Sequence, residues 1–435
     1  MDETHETDAR SRGGGAAQGL SFCMVTTFFP PYHSGGDAMY LYGLVNALAR
    51  RGHRVTVVHC VDSYRVQTAA PPRGEFPVHE NVTVHPLRSR VGRVSPLLTY
   101  LSGRPALKTP ALRRIFEERF DVVHFHLTTL FGPGVLRFGG DAVRLYTTHD
   151  HWLVCPMYDL WKQNRELCER PECLRCTLSF GRPPQLWRYT DLLERELGHV
   201  DLFLSPSRST IEQHRRRGFD RPMRHLPYFL PAADAAAPPP PGPVDGPRDG
   251  RPYFLFVGRL VRLKGVHRLV DAFRRYDRAD LLIAGDGALA DELRAQAAGL
   301  DHIRFLGRVH PDRLRALYAN AVAALVPSLV YETFGFPTLE AHAQRTPVIA
   351  TSLGAVGEVA RATGGGIVFD DEDSLVEAME RLRTDRALRD SLGARGHESL
   401  VQEYSEAPHI ARYFELIDEA RTLKAGERET RRAAA

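Results

Sequence analysis

The feature that most limits the fold is a stretch that cannot fold by itself. Residues 231–252 are rich in Ala, Pro, Gly and Asp and cannot bury a core, so they read as a linker between two domains. At 435 residues the chain is long enough for a core on each side of it. Both sides repeat one pattern: a short apolar run, a Gly-containing turn, and a segment with apolar residues at helical spacing. In the first half, residues 21–27 break at Pro30-Pro31, pass Gly35-Gly36 and enter a helix in which Leu41, Leu44, Val45 and Leu48 share a face. In the second half, residues 253–257 run into Gly258 and then a helix, with further strands at 281–287, 303–307, 321–326 and 348–351. This alternation predicts an α/β protein of two Rossmann-like, doubly wound parallel sheets, whose ligands sit at the carboxyl ends of the strands. The expected boundaries are a disordered tail over 1–19, a first domain over 20–231, a linker over 232–251, a second domain over 252–400, a helix over 401–423 and a disordered tail over 424–435.

Residues able to do chemistry cluster at those strand ends. Residues 327–340 follow an apolar strand and hold Glu332 and Gly335 in a loop, with a helix starting near Pro337 and Glu340 in its first turn. Pro is tolerated there because that N–H has no intrahelical partner. The N–H groups of Phe334, Gly335 and Phe336 are therefore expected at a positive helix end, where an anion or a polarised hydroxyl binds. Carboxylates accept well from vicinal hydroxyls, so Glu332 and Glu340 read as gripping a sugar and a ribose. Upstream, Gly258-Arg259 and Lys264-Gly265 follow the strand at 253–257. Only four of the 57 basic residues are Lys (Lys108, Lys162, Lys264 and Lys424), so Lys264 stands where Arg is the common choice. A guanidinium fork and an ammonium point charge so placed would stabilise a diphosphate leaving group as its charge builds.

Glu332 to Glu340 resembles the E-x7-E motif of retaining glycosyltransferases of the GT-B fold, family 4, also called glycosyl transferases group 1. Arg259 and Lys264 resemble that family's Gly-Arg-x4-Lys-Gly signature. The resemblance implies a GT-B fold with an interdomain cleft and a last helix that crosses back to the first domain. It implies transfer of a sugar, with retention, from a nucleotide diphosphate sugar to an acceptor hydroxyl. Arg259 and Lys264 would hold the diphosphate, Glu332 would orient the transferred sugar and Glu340 would hold the ribose. The Gly35-Gly36 loop would lie near the donor phosphates and the acceptor. Gly258, Gly285 and Val309 are similar to donor-side turns where backbone approaches the nucleotide. His126 resembles the second His of a His-x-His beside the transferred sugar, and His149 resembles the family's Thr-x-His loop. From the residues alone, Gly35-Gly36 is equally a structural turn and His124 a satisfied core histidine. No metal is expected in the chemistry, because two cations take its place. UDP and GDP sugars are the first donors to consider, and the acceptor is open: a polysaccharide intermediate, a glycolipid or a small metabolite.

Residues 149–187 fit the doubly wound pattern least. They hold Cys155, Cys168, Cys173 and Cys176 and all three tryptophans, Trp152, Trp161 and Trp187. In a reducing compartment, four Cys ending in Cys-x-x-Cys read as a structural zinc site, with free thiols the next alternative and disulfides the last. The tryptophans are expected to pack this segment down, stacking on an acceptor being the rarer alternative. With 57 basic and 53 acidic residues the net charge is +4, too even to point to nucleic acid. The basic run Arg215-Arg216-Arg217 reads as a solvated face; contact with a membrane surface is the less favoured alternative, since no amphipathic aromatic stripe accompanies it. No apolar run approaches the roughly 18 residues of a membrane span. Residues 1–19 lack the apolar core of a secretory signal. A cytoplasmic protein is expected, and the Arg-heavy composition suggests a GC-rich bacterium. Two rival readings are a nucleotide-sugar epimerase of similar fold and a non-catalytic nucleotide-sugar binder.

Overall fold

The structure, a computed structural model, describes residues 19–33, 35–68, 70–72, 74–231 and 250–434. Its apolar runs form strands buried on both faces, the pattern that parallel sheets require. The first domain holds β1 (Ser21–Val25), β2 (Arg54–Cys60), β3 (Val82–Leu87), β4 (Val122–Phe125) and β5 (Val143–Thr147). After a short hairpin of β6 (Trp161–Lys162) and β7 (Glu166–Leu167) come β8 (Leu202–Ser205) and β9 (Met223–His225). These pair all-parallel in the order β3-β2-β1-β4-β5-β8-β9, the hairpin standing apart. The second domain holds β10 (Tyr253–Val257), β11 (Asp280–Ala284), β12 (Ile303–Gly307), β13 (Ala323–Val326), β14 (Val348–Thr351) and β15 (Gly366–Phe369). Its order is β12-β11-β10-β13-β14-β15, again parallel throughout.

Each sheet grows outward from its first strand in one direction and then in the other. The order therefore reverses at β1/β4 and at β10/β13, and a crevice opens outside the carboxyl ends at such points. Gly35-Gly36 follows β1, His126 follows β4, Arg259 follows β10 and Glu332 follows β13. The candidate residues thus meet where the two crevices face each other.

The helix Glu406–Ala434 joins the domains. Tyr413, Leu416, Ile417 and Ala420 lie in one apolar cluster with Phe22, Val122 and Leu145 of the first sheet and with Leu339 and Val359 of the second domain. The helix expected to cross over 401–423 instead spans Glu406–Ala434. A separate helix, Arg386–Glu403, precedes it. The segment from 424 onward, expected as a disordered tail, instead continues the helix to Ala434. Its sequence has no apolar stripe, yet Lys424 Nζ meets Asp201 at 3.2 Å and Arg428 pairs with Asp141, so ion pairs tie the last turns to the first domain. The expected linker over 232–249 and the tail over 1–18 lie outside the described residues. Among the described residues no helix is long and apolar enough to cross a membrane.

Trp152 and Trp187 are buried with Phe131 and Phe203 in a second cluster of the first domain, their ring centroids 5.9 Å apart. Trp161 is buried as well. The tryptophans are thus packing residues.

Leu416 is fully buried in the crossing helix. Leu416→Ala should lower the unfolding free energy by about 2–5 kcal/mol, as a cavity inside a core does, read from the urea midpoint at unchanged m-value.

Candidate active site

At the carboxyl end of β10 the chain makes a short turn, Arg262–Lys264, and Gly265 follows with φ +70°. A Cβ on Gly265 would lie 2.0 Å from the Pro327 carbonyl oxygen, so only glycine lets this turn press against the end of β13. The Leu329 N–H donates to the Leu263 carbonyl at 2.8 Å across the same seam. Lys264 is delivered to the loop after β13 as a result. Its Nζ meets Glu332 Oε1 at 2.5 Å, and Ser328 Oγ donates to that oxygen at 2.7 Å. Both charged side chains keep partial contact with solvent, so this is a held pair at a rim rather than a sealed one.

Gly258 and Gly285 bring backbones together at the next strand ends. The Gly258 N–H donates to Ala284 O at 3.0 Å, and a Cβ on Gly285 would lie 1.9 Å from the Gly258 oxygen. The helix Phe336–Ala343 has the expected proline in its first turn and no side chain capping its N-terminus, but it starts at Phe336, so Glu340, expected in the first turn, stands in the second. Glu340, on this helix, accepts from Tyr318 Oη at 2.8 Å.

In the first domain the carboxyl ends of β4 and β5 carry a chain of buried imidazoles. His124 Nδ1 bonds Tyr413 Oη at 2.8 Å and its Nε2 bonds Thr147 Oγ1 at 2.8 Å. His126 Nδ1 bonds His149 Nε2 at 2.8 Å, and His149 Nδ1 bonds the Tyr228 hydroxyl. His124 is therefore a satisfied core residue, whereas His126 Nε2 is buried with no hydrogen-bond partner among the described residues. Burial, reinforced by the neighbouring imidazoles, drives His126 well below the usual histidine range, and burial takes His149 to about 3. Both rings are neutral at pH 7 and act as hydrogen-bonding groups, not as cations.

The two halves touch directly. Thr333 Oγ1 donates to the His149 carbonyl at 2.9 Å, and Tyr228 packs against Phe334 and Phe336 at 4.8 and 5.5 Å between centroids. A Cβ on Gly36 would lie 2.5 Å from the Phe336 ring. Glu358 reaches across from the second domain to accept from the N–H groups of Arg208 and Ser209 at 2.9 and 2.6 Å, at the start of a first-domain helix. Beside this seam lies a cleft of about 940 Å³ lined by Gly36, Val309, Tyr318, Phe336 and Glu340.

Comparison with known proteins fits this architecture. Residues 34–234 match Glycosyltransferase Family 4 and residues 243–399 match Glycosyl transferases group 1. An uncharacterized glycosyltransferase of Methanocaldococcus jannaschii is 34% identical over 416 residues, 89% of this chain and 95% of that protein. The chain belongs to this glycosyltransferase family. A glycogen synthase of Mycobacterium tuberculosis is 34% identical over 403 residues, 88% of this chain and 91% of that one. Sucrose-phosphate synthase from Thermosynechococcus elongatus shares the fold with a TM-score of 0.63 at 21% identity, covering 95% of this chain and 100% of that one. Anabaena HepE in complex with UDP does so with a TM-score of 0.62 at 15% identity, covering 92% and 100%. The fold is GT-B, and the protein is a glycosyltransferase.

Within that family frame, eight of the sequence-predicted residues fall into three groups. Lys264 and Glu332 form one ion pair, His126 and His149 form one hydrogen-bonded pair, and Gly36, Val309, Phe336 and Glu340 line one cleft. Gly335 is the cap residue between the first and third groups. The four cysteines are all free thiols. Cys155 and Cys176 are buried in a small cluster with Met157 and Leu160, with Cys168 against it, and among the described residues no three His, Cys, Asp or Glu side chains are placed to hold a metal.

Sequence reading missed Tyr318 and Tyr228, whose partners lie far away in the chain, and Ser328, which meets Glu332 four residues on only because the loop bends back. It also missed three half-buried acids. Asp37 is pushed up to about 6 by burial, with Arg259 among the charges opposing that rise. Asp159 is raised to about 6 by burial, and Asp150, next to His149, is raised to about 7. The Thr-His-Asp run contained the signal for Asp150, since an acid at a buried strand end must either pair or protonate.

Asp150 feels Asp37 and Asp159 as raising neighbours and Arg188 as a lowering one, all of them smaller than burial. An acid raised in the folded state binds more protons there than when unfolded. Its favourable contribution is complete below about 3.8 and is lost as pH rises through about 7. Asp150→Asn should therefore gain thermal stability relative to wild type as pH climbs across that window and level off above it, measured by paired melts.

Proposed function

We propose that this glycosyltransferase is a retaining enzyme that moves a hexose from a nucleotide diphosphate sugar to an acceptor hydroxyl in the interdomain cleft. The observation that carries the reading is the Lys264–Glu332 pair, set at the switch point of the second sheet in the loop whose Thr333 bonds the His149 carbonyl across the seam. A binder that never breaks a bond has no use for a cation aimed at a departing diphosphate.

In the step we envisage, the bond from the sugar's anomeric carbon to the diphosphate oxygen breaks. The acceptor oxygen bonds to that carbon on the same face, and its proton passes to the departing phosphate oxygen. Arg259 and Lys264 stabilise the charge gathering on the leaving group, Lys264 being shared between Glu332 and phosphate. Glu332 orients the sugar through its hydroxyls, Glu340 holds the ribose beside Tyr318, and His126 Nε2 contacts the sugar near the reacting carbon. No carboxylate nucleophile is invoked, which separates this chemistry from that of retaining glycosidases. The acceptor is a hydroxyl of a polysaccharide intermediate, a glycolipid or a small metabolite. Among relatives, one is a lipopolysaccharide core biosynthesis glycosyltransferase and another a phosphatidyl-myo-inositol mannosyltransferase, which favours the glycolipid.

UDP-, GDP-, ADP- and dTDP-sugars offered singly should give slow nucleoside diphosphate release from one donor. Lys264→Ala and Glu332→Ala should each cost roughly 10²–10³ in kcat, the scale of losing one preorganised electrostatic contact. Release of an epimer or of free sugar as the main product with acceptor present would favour the epimerase, and donor binding without turnover in cell extract would favour the binder.

We also propose a structural, non-catalytic zinc for Cys155, Cys168, Cys173 and Cys176. Cys173 and Cys176 sit in the first turn of the helix Cys173–Ser179, Cys155 precedes the hairpin and Cys168 follows it. The N–H of Gln163 donates to Cys176 Sγ at 3.4 Å, and Arg188, half-buried, bonds the Trp152 and Leu153 carbonyls and feels the charges of Cys155 and Cys173. Burial raises the Cys155, Cys168 and Cys173 thiols, Cys155 to about 12, with backbone donors and Arg188 opposing that rise, so a bound metal would have to displace their protons. The sulfurs would have to close further to bind. Elemental analysis of the purified chain should give one zinc per chain, and none for the Cys173→Ser, Cys176→Ser double variant; four titratable thiols and no metal in wild type would sink the idea.

A further inference from the structure

One helix of the first domain is built inside out. In Val94–Ser102, the residues at helical spacing Val94, Leu97, Leu98 and Leu101 are 50%, 48%, 41% and 44% exposed, while Ser95 and Thr99 are fully buried. A surface helix of a globular protein turns its apolar stripe inward. Here the polar side is held inward by a buried network, with Lys108 Nζ bonded to Ser95 and 3.4 Å from Asp62, and with Asp62 accepting from the Ser89 N–H. The leucines are therefore left outside by construction.

The apolar face continues beyond this helix. Trp187 Nε1 donates to the Tyr100 carbonyl at 2.9 Å, which sets the turn Leu186–Tyr189 against the helix. Leu186 and Tyr189 are 65% and 60% exposed. The helix Cys173–Ser179, earlier in the same segment, exposes Leu174 and Leu178 as well. Ten of the fifteen large apolar side chains exposed among the described residues lie in 91–107 or 174–189. A concentration of this kind marks an interaction surface.

Charge says what covers it. From Arg88 to Phe116 the chain carries six Arg and Lys108 and no Asp or Glu, and from Cys173 to Thr190 three Arg and again no acid, in a protein whose charges otherwise nearly balance. Arg90, Arg93 and Arg104 are exposed beside the leucines. Two copies of this face would bring cations against cations, which disfavours self-association. A negatively charged lipid surface takes both features, the leucines entering the acyl boundary and the arginines meeting phosphate. The run Arg215-Arg216-Arg217, the sequence's own basic cluster, is used otherwise: Arg216 pairs with Glu212, and Arg217 bonds Gln213 and the Cys168 carbonyl.

We infer that the face formed by the helix Val94–Ser102 and the turn Leu186–Tyr189 docks this enzyme on an anionic phospholipid membrane surface. The helix follows β3 at the carboxyl end of the sheet, so docking turns the rim of the cleft toward the lipid. As the route of a lipid-borne acceptor, this rests on the glycosyl-transfer reading; as a docking surface it does not.

The test uses the full chain with extruded vesicles of phosphatidylcholine, with or without phosphatidylglycerol, read by co-sedimentation. Binding should require phosphatidylglycerol and weaken with salt. It should fall about tenfold or more in the triple variant Leu97→Ser, Leu98→Ser, Leu101→Ser, and also in Arg90→Glu with Arg93→Glu. Melting temperature and donor hydrolysis in solution should hold in both variants, because these side chains are exposed and remote from the Lys264–Glu332 pair. No binding to anionic vesicles, equal binding by the variants, or a dimer in solution that the triple variant dissolves would each overturn the proposal. Loss of hydrolysis with docking intact would count against the enzyme reading alone.

Discussion

A single apolar cluster runs through both domains, and the geometry of the cleft depends on it. Tyr40 of the first domain stacks on Tyr228 at 4.2 Å, Tyr228 packs on Phe334 and Phe336, and Leu339 and Val359 of the second domain share the cluster with Tyr413 and Leu416 of the crossing helix. Packed interiors respond to displacements of a few tenths of an ångström. The loop carrying Glu332 is therefore located by aromatic contacts on one side and by the Thr333 bond to the His149 carbonyl on the other. Gly36 makes the closest approach possible, since any side chain there would enter the Phe336 ring.

Around that seam the electrostatics divide by depth. The imidazoles of His124, His126 and His149 are sealed and neutral, and burial raises Asp37 to about 6 and Asp150 to about 7, so the first-domain wall carries less negative charge than its acids would in water. Lys264 and Glu332 stay at the rim, where water still reaches them. A cation kept charged at the edge of a low-dielectric cleft acts strongly on an anion that enters it. The division suits a reaction in which negative charge moves onto a leaving group on one side while a hydroxylic sugar is held on the other.

The same economy of polar groups explains the exposed leucines. Lys108 and Asp62 are both buried and must satisfy one another. Ser95 joins them, so the helix Val94–Ser102 has its orientation chosen by its polar side rather than by its apolar one. An apolar face left over in this way has no partner among the described residues.

Much of the fold was legible in sequence because doubly wound domains are written locally. Buried strands, glycine turns at their carboxyl ends and the proline at the start of the helix Phe336–Ala343 follow from rules of a few residues' range, and the spacings Arg259–Lys264 and Glu332–Glu340 carried the family. The last helix beyond residue 424 was not legible, because it is held by Asp201 and Asp141 rather than by an apolar stripe. Nor were Ser328 on Glu332, Tyr318 on Glu340 and Tyr228 on His149. Tyr228 and Tyr318 meet their partners across turns and strands that sequence distance does not encode, and Ser328 meets Glu332 only once the loop between them is bent. The amino-acid sequence alone thus determined which residues can bear the chemistry and at which strand ends they stand. The tertiary structure decided which of them touch, which are buried to neutrality and which apolar face is left outside, because those depend on how two sheets and one crossing helix pack.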